Sequence, residues 1–247
     1  GFSSSPHLFY SGTDKTGTWF QLFQIGFGGI PGRPMGDGPD GHSLWPNFTN
    51  VPNEFLERYF PLLIERYETV PDSGGAGLHR GGNGINMVYR FLEPGVIAIH
   101  DDRWFTRPWG VNGGNPGGRA RKILERADGT KTMVASKCED IAVAAGDRLH
   151  FITWGGGGWG DPLLRDPHLV AEEIAQGLVT ERGAKDYGVV IINGALDREA
   201  TEILREKMRA ARTDTGLFNR GGTIEDLRET CLAETGLPAP RQPVWAR

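Results

Sequence analysis

The stretch WGGGGWGDPLLRDP, from Trp154 to Pro167, decides how this chain is read. Gly155, Gly157 and Gly160 spell G-x-G-x-x-G, the spacing of a dinucleotide cradle. That cradle requires a strand, a glycine turn and then a helix whose first amides meet the phosphate. The strand, Arg148–Trp154, fits. The helix is displaced. Asp161-Pro162 and a further segment intervene before Asp166, placed as N-cap, and Pro167, at the first helical position, open it. No acid closes a following strand at the expected distance, and no GxxxxGK[ST] occurs anywhere. The phosphate reading is therefore set aside. Four successive glycines instead remove every Cβ, so that another backbone or a partner side chain can come very close. Trp159 would pack beside them, and Asp161-Pro162 would fix the exit.

Working outward, the whole chain shares this texture. Glycine occupies 37 of 247 positions, about twice ordinary usage, without a period, which excludes a collagen repeat. Apolar residues at 38% and aromatics at 10% support a packed core rather than disorder. The net charge of −4 and the lack of a basic stripe argue against nucleic acid. No apolar run is long enough to span a bilayer, and no secretory leader is spelled at the start. Only two cysteines occur, Cys138 and Cys231, so no disulfide framework is implied. A reducing cytoplasm is the expected location. Without a leader, the glycosylation spelling at Asn47 to Thr49 carries little weight.

Residues 1–50 read as loop apart from a strand at Trp19–Ile25. Pro61 divides the following segment into a helical turn at 53–59 and a strand at 62–70. Two strands joined at Pro94-Gly95 are expected over 85–102, and a hairpin turning at Asp128-Gly129 over 121–136. Two more short strands lie either side of Gly146-Asp147. Helix is expected from Asp166, a second short helix capped by Thr180 ends near Gly188, GVVIING is a strand, and 197–214 is a charged amphipathic helix. The tail, 215–247, is rich in Pro and Arg and carries no assignment. The fold class is α+β: a strand-rich glycine-loop region over 1–160, then a small helical C-terminal region and tail over 161–247.

Side chains able to do chemistry are scattered. His100-Asp101-Asp102 ends a strand. His100 and Asp102 are the weak metal candidates, but no third ligand stands at useful spacing, so a strand end with solvated carboxylates and a core histidine is the favoured reading. His79-Arg80, inside DSGGAGLHRGGNG, has two readings of equal standing: the guanidinium fork binds an anion, or it braces the loop. Cys138, beside Glu139 and Asp140, lacks the cationic surroundings that lower a thiol pKa. No self-sufficient catalytic machine is spelled out.

Several ordered stretches nevertheless resemble one family. They are PLLIERYETVPDSGGAGLHRGGNG (61–84), RFLEP (90–94), DDRWFTRPWGVNGGNPG (101–117), GDRLHFITWGGGGWGDPLLRDPHLVAEEIAQGLVT (146–180) and DYGVVI (186–191). Together they are similar to the C-terminal half of the hydantoinase B/oxoprolinase family, with coverage over about 50–210 and weaker similarity outside. That group includes N-methylhydantoinase and 5-oxoprolinase components and the acetone and acetophenone carboxylases. The resemblance implies a hetero-oligomer. A hydantoinase A-type subunit binds ATP with Mg and activates a carbonyl or enolate oxygen by phosphorylation, while the B-type protein helps complete the site. It also implies that a divalent metal, Zn or Mn, is held by His and Asp residues of the N-terminal half of the B-type protein. The matching stretches correspond to the other half, so a companion chain is expected to carry the metal-binding half, the present chain being a split subunit or a fragment.

Three functions follow as expectations. The first is a subunit of an ATP-dependent cyclic-amide hydrolase, not catalytic alone. The second is a subunit of an ATP-dependent ketone carboxylase. The third is a structural assembly subunit without catalytic residues. The catalytic residues stay unassigned. The loop residues expected to face a composite site or subunit interface are His79, Arg80, Trp154, Gly157, Trp159 and Asp161.

Overall fold

The computed structural model describes residues 5–42, 49–212, 216–218 and 220–241. Asn47, the acceptor in the glycosylation spelling, lies outside the described residues. Eleven strands and four α-helices are formed among the described residues. In chain order they begin with β1 (His7–Thr13), β2 (Trp19–Ile25), α1 (Asn53–Tyr59), β3 (Leu62–Thr69), β4 (Ile85–Phe91) and β5 (Gly95–His100). Then come β6 (Arg121–Glu125), β7 (Lys131–Val134), β8 (Lys137–Val143) and β9 (Arg148–Ile152). The remainder comprises α2 (Pro167–Ala175), β10 (Val190–Ile192), β11 (Ala195–Asp197), α3 (Arg198–Ala210) and α4 (Ile224–Thr235). This is the α+β arrangement of strands followed by helices.

Two antiparallel sheets make the strand-rich part. One has the order β2-β1-β5-β8, the other β3-β4-β9-β6-β7. Alternation places Leu8 and Tyr10 of β1, Phe20 and Leu22 of β2, and Ile97 and Ile99 of β5 on one inner face. Met87, Tyr89 and Phe91 of β4, Leu124 of β6, and Leu149 and Phe151 of β9 supply the other. These residues form one apolar cluster, so the sheets pack face to face as a sandwich. Leu56 of α1 closes it from the side.

Strands adjacent in sequence do not always pair. β4 and β5 meet at the corner before Gly95 but lie in different sheets, and β8 and β9 do the same around Gly146-Asp147. At the first corner the Tyr10 hydroxyl, pushed up to about 12 chiefly by burial, donates to the Glu93 carbonyl at 2.7 Å. At the second the Asp147 carboxylate accepts from the Ala144 and Ala127 amides, each at 2.9 Å. The 121–136 segment is a true hairpin, with Lys122 opposite Val134 and Gly129 at φ 87° in its turn.

Two expectations need correction, and the unassigned tail gains a helix. The first fifty residues are not loop apart from β2: β1 pairs along its whole length with β2, His7 opposite Ile25 and Thr13 opposite Trp19. HLFYSGT lacks a clean polar alternation because both of its neighbours are strands, and pairing rather than local pattern forms it. The segment after Thr180 forms a single 3₁₀ turn, Gly183–Tyr187, rather than an α-helix, although the Thr180 hydroxyl does accept from the Gly183 amide at 3.1 Å. The tail contains α4, opened by a capping box in which Thr223 accepts from the Asp226 amide while the Asp226 carboxylate accepts from the Thr223 amide.

The C-terminal elements are not an independent appendage. Val170, Val179, Ala184, Tyr187 and Val189 cluster with Ala76, which belongs to the glycine loop between β3 and β4. Cys231 of α4 is buried with Trp104, Ala120 and Trp154.

Candidate functional site: a glycine bundle and its rim

Four irregular segments leave the sandwich at strand ends: Gly26–Gly41 after β2, 70–84 between β3 and β4, 101–120 between β5 and β6, and Thr153–Gly160 after β9. The last runs through the middle of the other three. A Cβ on Gly155 would lie 1.7 Å from the Ser73 carbonyl oxygen, on Gly156 2.2 Å from that of Ile30, on Gly157 2.0 Å from that of Trp109, and on Gly158 2.1 Å from that of Ala76. The neighbour changes at each step and returns to the 73–76 segment at the third. This is the three-residue screw of extended, polyproline II-type chain, in which hydrogen bonds go to neighbouring segments.

Those bonds are formed. The Gly32 amide donates to Gly157 O at 2.8 Å, Gly75 to Gly156 O at 2.8 Å, Gly156 to Gly82 O at 2.9 Å, Val111 to Gly158 O at 2.9 Å and Gly158 to Asn115 O at 2.9 Å. Buried amides must be paired, and here they are paired between segments of one chain without strand geometry. The glycine run is therefore the axis of a bundle. Its surroundings leave no space at these positions for a phosphate.

Trp154 caps the base of the bundle. It is buried, and its indole occupies the position that a Cβ on Gly28 would need. Trp159 lies at the other end. Its backbone bridges His79 and Val111, and the His79 ring stacks on its indole with centroids 5.7 Å apart. His79 Nδ1 lies 3.9 Å from Asp37 Oδ1, and about a quarter of the His79 side chain is open to solvent. His79 and Trp159 thus form a partly exposed rim.

Arg80 faces the other way. Its Nη1 and Nη2 donate to the two Asp40 carboxylate oxygens at 2.7 and 2.9 Å, its Nε donates to Glu173 Oε1 at 2.7 Å, and Nη1 also reaches Gly81 O at 2.9 Å. Burial opposes its charge, but Asp40 and Glu173 outweigh burial and hold the guanidinium protonated above its ordinary range. Arg165 completes the network, donating twice to Asp37 at 2.7 Å and once to Glu173 Oε1 at 2.8 Å. In this chain Arg80 braces the loop against α2. Asp37, Asp40, Arg165 and Glu173 were not read as its partners from sequence. They stand 37 to 173 along the chain, and no local pattern links them.

Asp161 is a cap. Its carboxylate accepts from the Leu163 amide at 2.8 Å and pairs with Arg212 Nη1 at 2.5 Å. His100, Asp101 and Asp102 do not converge. The expected core histidine and solvated carboxylates are partly reversed: His100 is exposed, its Nε2 3.5 Å from Glu139, Asp102 pairs with Lys137 at 2.8 Å, and Asp101 turns inward to a buried ion pair with Lys122, whose charge only the interior of the fold brings to it. Among the described residues no three His, Cys, Asp or Glu side chains gather as a metal site. His100, Asp101 and Asp102 therefore do not form a common donor set. Burial pushes the Cys138 thiol up, away from nucleophilic character.

Beyond the rim, the backbone of 110–116 and helix α4 enclose a cleft of about 680 Å³, lined by Arg107, Trp109, Arg119, Arg212, Phe218 and Arg220 among others.

The glycine bundle belongs to the segment that comparison with known proteins identifies. The hydantoinase B/oxoprolinase family model matches residues 1–162. The chain belongs to this family. The match takes in the first fifty residues, where the motifs gave only weak similarity, and ends just past the glycine run. Caprolactamase subunit beta of Pseudomonas jessenii is 34% identical over 162 residues, covering 62% of this chain and 27% of that protein. The crystal structure of the ATP-dependent caprolactamase from Pseudomonas jessenii superposes with a TM-score of 0.73 at 25% identity, over 83% of this chain and 38% of that chain. A nucleotide-free acetone carboxylase structure shares the fold, with a TM-score of 0.70 at 20% identity over 85% of this chain and 34% of that chain. The chain spans roughly a third of these relatives' lengths. No helix among the described residues is long and apolar enough to cross a membrane.

Proposed function

We propose that this chain is a component of an ATP-dependent enzyme that hydrolyses a cyclic amide. The observation that carries the reading is the paired match, in sequence and in structure, to an ATP-dependent caprolactamase and its beta subunit, because caprolactam is a cyclic amide. The likeness to acetone carboxylase is one of fold, so hydrolysis is favoured over carboxylation. In this reading the chain is not catalytic alone. An A-type subunit binds ATP and Mg and phosphorylates the amide oxygen, and a companion chain carrying the rest of the B-type protein holds the divalent metal. The glycine bundle serves as a rigid platform. It fixes the rim formed by His79 and Trp159, and Gly157 and Asp161 behind it, toward the composite site or the subunit interface. Trp154 and Arg80 contribute from beneath, by holding the bundle's base and the loop that carries His79.

The test is native mass spectrometry of the complex purified from its source, with metal analysis on the same sample, followed by ATP-dependent assays on lactams, hydantoins and ketones with bicarbonate. The expected result is this chain with an ATP-binding chain and a second B-type chain, and amide-bond hydrolysis coupled to ATP. Fixation of bicarbonate into a β-keto acid would replace the hydrolase reading with the carboxylase one. A stable chain that purifies alone and recruits no ATP-binding partner would overturn the composite-site reading altogether.

A further inference from the structure

We infer that the cleft between the 107–119 segment and α4 is a binding site for a small organic anion, one in which a carboxylate or phosphate is joined to a flat ring. The inference does not depend on the reaction proposed above.

Its volume, about 680 Å³, is that of a small-molecule pocket. Its charge is mainly positive. Among the described residues, four arginines, Arg107, Arg119, Arg212 and Arg220, line it with one carboxylate, Glu234, in a chain whose net charge is −4. Glu234 is already divided between two of them, accepting from Arg107 Nη2 at 2.8 Å and from Arg119 Nε at 2.5 Å. Arg212 has Asp161 just outside the lining. Arg220 has no carboxylate within salt-bridge distance among the described residues; its guanidinium rests 5.3 Å from the Phe218 ring centroid and 5.8 Å from that of Trp109. Arginines gathered in a concave wall focus a positive potential that an entering anion relieves. The guanidinium fork suits carboxylate and phosphate oxygens alike.

The remainder of the wall selects what carries the charge. Beside the arginines, the wall is aromatic and aliphatic: Trp109, Phe218 and Leu227. The Trp109 indole already has the Arg103 guanidinium stacked on it at 4.9 Å, so this ring is held in place and presents a fixed surface. A flat ring beside Trp109 with its acid group toward Arg107 and Arg220 satisfies both halves of the wall. A bare cation is excluded by charge. A nucleic acid strand is a poor fit to a small cleft on an acidic protein.

The arrangement also explains why the site was invisible in the sequence. Its walls come from residues 107–119, from 211 and 212, and from Phe218 and 220–234, and only the bundle brings the first of these beside the others. Asp161, at the exit of the glycine run, holds Arg212 at the cleft edge.

The test is calorimetric titration of the full chain with adenosine monophosphate, indole-3-carboxylate, adenosine, indole and inorganic phosphate. At least one of the two flat anions is expected to bind, and to do so about tenfold or more tightly than its neutral counterpart or than phosphate alone. Arg220→Gln and Arg107→Gln are expected each to weaken that binding about tenfold, with the thermal midpoint unchanged because both side chains are on the open side of the cleft. Which anion binds separates phosphate from carboxylate recognition. The inference is overturned if neither anion binds at millimolar concentration, if the neutral compounds bind as well as the anions, or if Arg220→Gln and Arg107→Gln bind like the unchanged protein.

Discussion

Arg80 Nε donates to Glu173 Oε1 at 2.7 Å, tying the loop that presents His79 to helix α2 93 residues downstream. Glu173 Oε1 also accepts from Arg165, so one buried oxygen serves two guanidiniums. Removing one partner of such a pair leaves an uncompensated buried charge. Arg80→Ala and Glu173→Leu are each expected to destabilise the chain by about 3–5 kcal/mol. Denaturant midpoints check this. Near-native stability of Arg80→Ala would show that the network does not brace the loop.

The same network sets an acid limit. Burial opposes the charge of Asp37, but the hydrogen bonds and charge of Arg165, with the Arg80 amide, outweigh it and hold the Asp37 carboxyl below its usual range. A depressed carboxylate contributes stability that is complete above its unfolded value, near 3.9, and is lost as pH falls through the folded value. Unfolding followed between pH 7 and 3 should show this loss below about pH 4. Asp37→Asn should be less stable at neutral pH and lose less on acidification. An unchanged acid slope in that variant would assign the loss to other carboxylates.

Gly157 tests the bundle. A Cβ there meets the Trp109 carbonyl at 2.0 Å, against backbone that cannot rotate away. Gly157→Ala is expected to cost about 3 kcal/mol or more. Gly36, around which a Cβ meets nothing within 4 Å, is the control, and Gly36→Ala should stay within about 0.5 kcal/mol. Equal stabilities for the two variants would mean that the segments can separate at no cost.

Lys122 and Asp101 form an ion pair with both side chains fully buried, and Lys122 Nζ sits 4.2 Å from the Phe151 ring centroid. Burial lowers the lysine and raises the aspartate, so each charge survives there only through the other. Lys122→Met and Asp101→Asn should each cost about 3–5 kcal/mol, and the double variant less than their sum by about 2 kcal/mol. A double-mutant cycle reads this directly, and simple additivity would deny the coupling.

His79 and Trp159 form the exposed end of the bundle, and the proposed function places them toward the composite site. In the reconstituted complex, His79→Ala and Trp159→Leu are expected to lower turnover about tenfold, roughly 1.4 kcal/mol of barrier, with assembly intact. Wild-type turnover in both would remove the rim from the reaction.

Much of this chain was legible before its structure. The alternation in WFQLFQI, the break at Pro61, the Asp128-Gly129 turn and the Asp166-Pro167 helix start are local signals, and each lies where the chain folds as read. The ordered glycine motifs sufficed for the family, because backbone contact admits no other residue at those positions. Tertiary structure alone decided the rest. It turned β4 and β5 into neighbours of different sheets, paired β1, and threaded Gly155–Gly158 through three segments from elsewhere in the chain. It also turned Arg80 from a possible anion ligand into a brace, since Asp40 and Glu173 reach it from 40 residues before and 93 after. Local propensity operates over a few residues, whereas buried charge and close backbone packing are satisfied by whatever the fold brings within 3 Å.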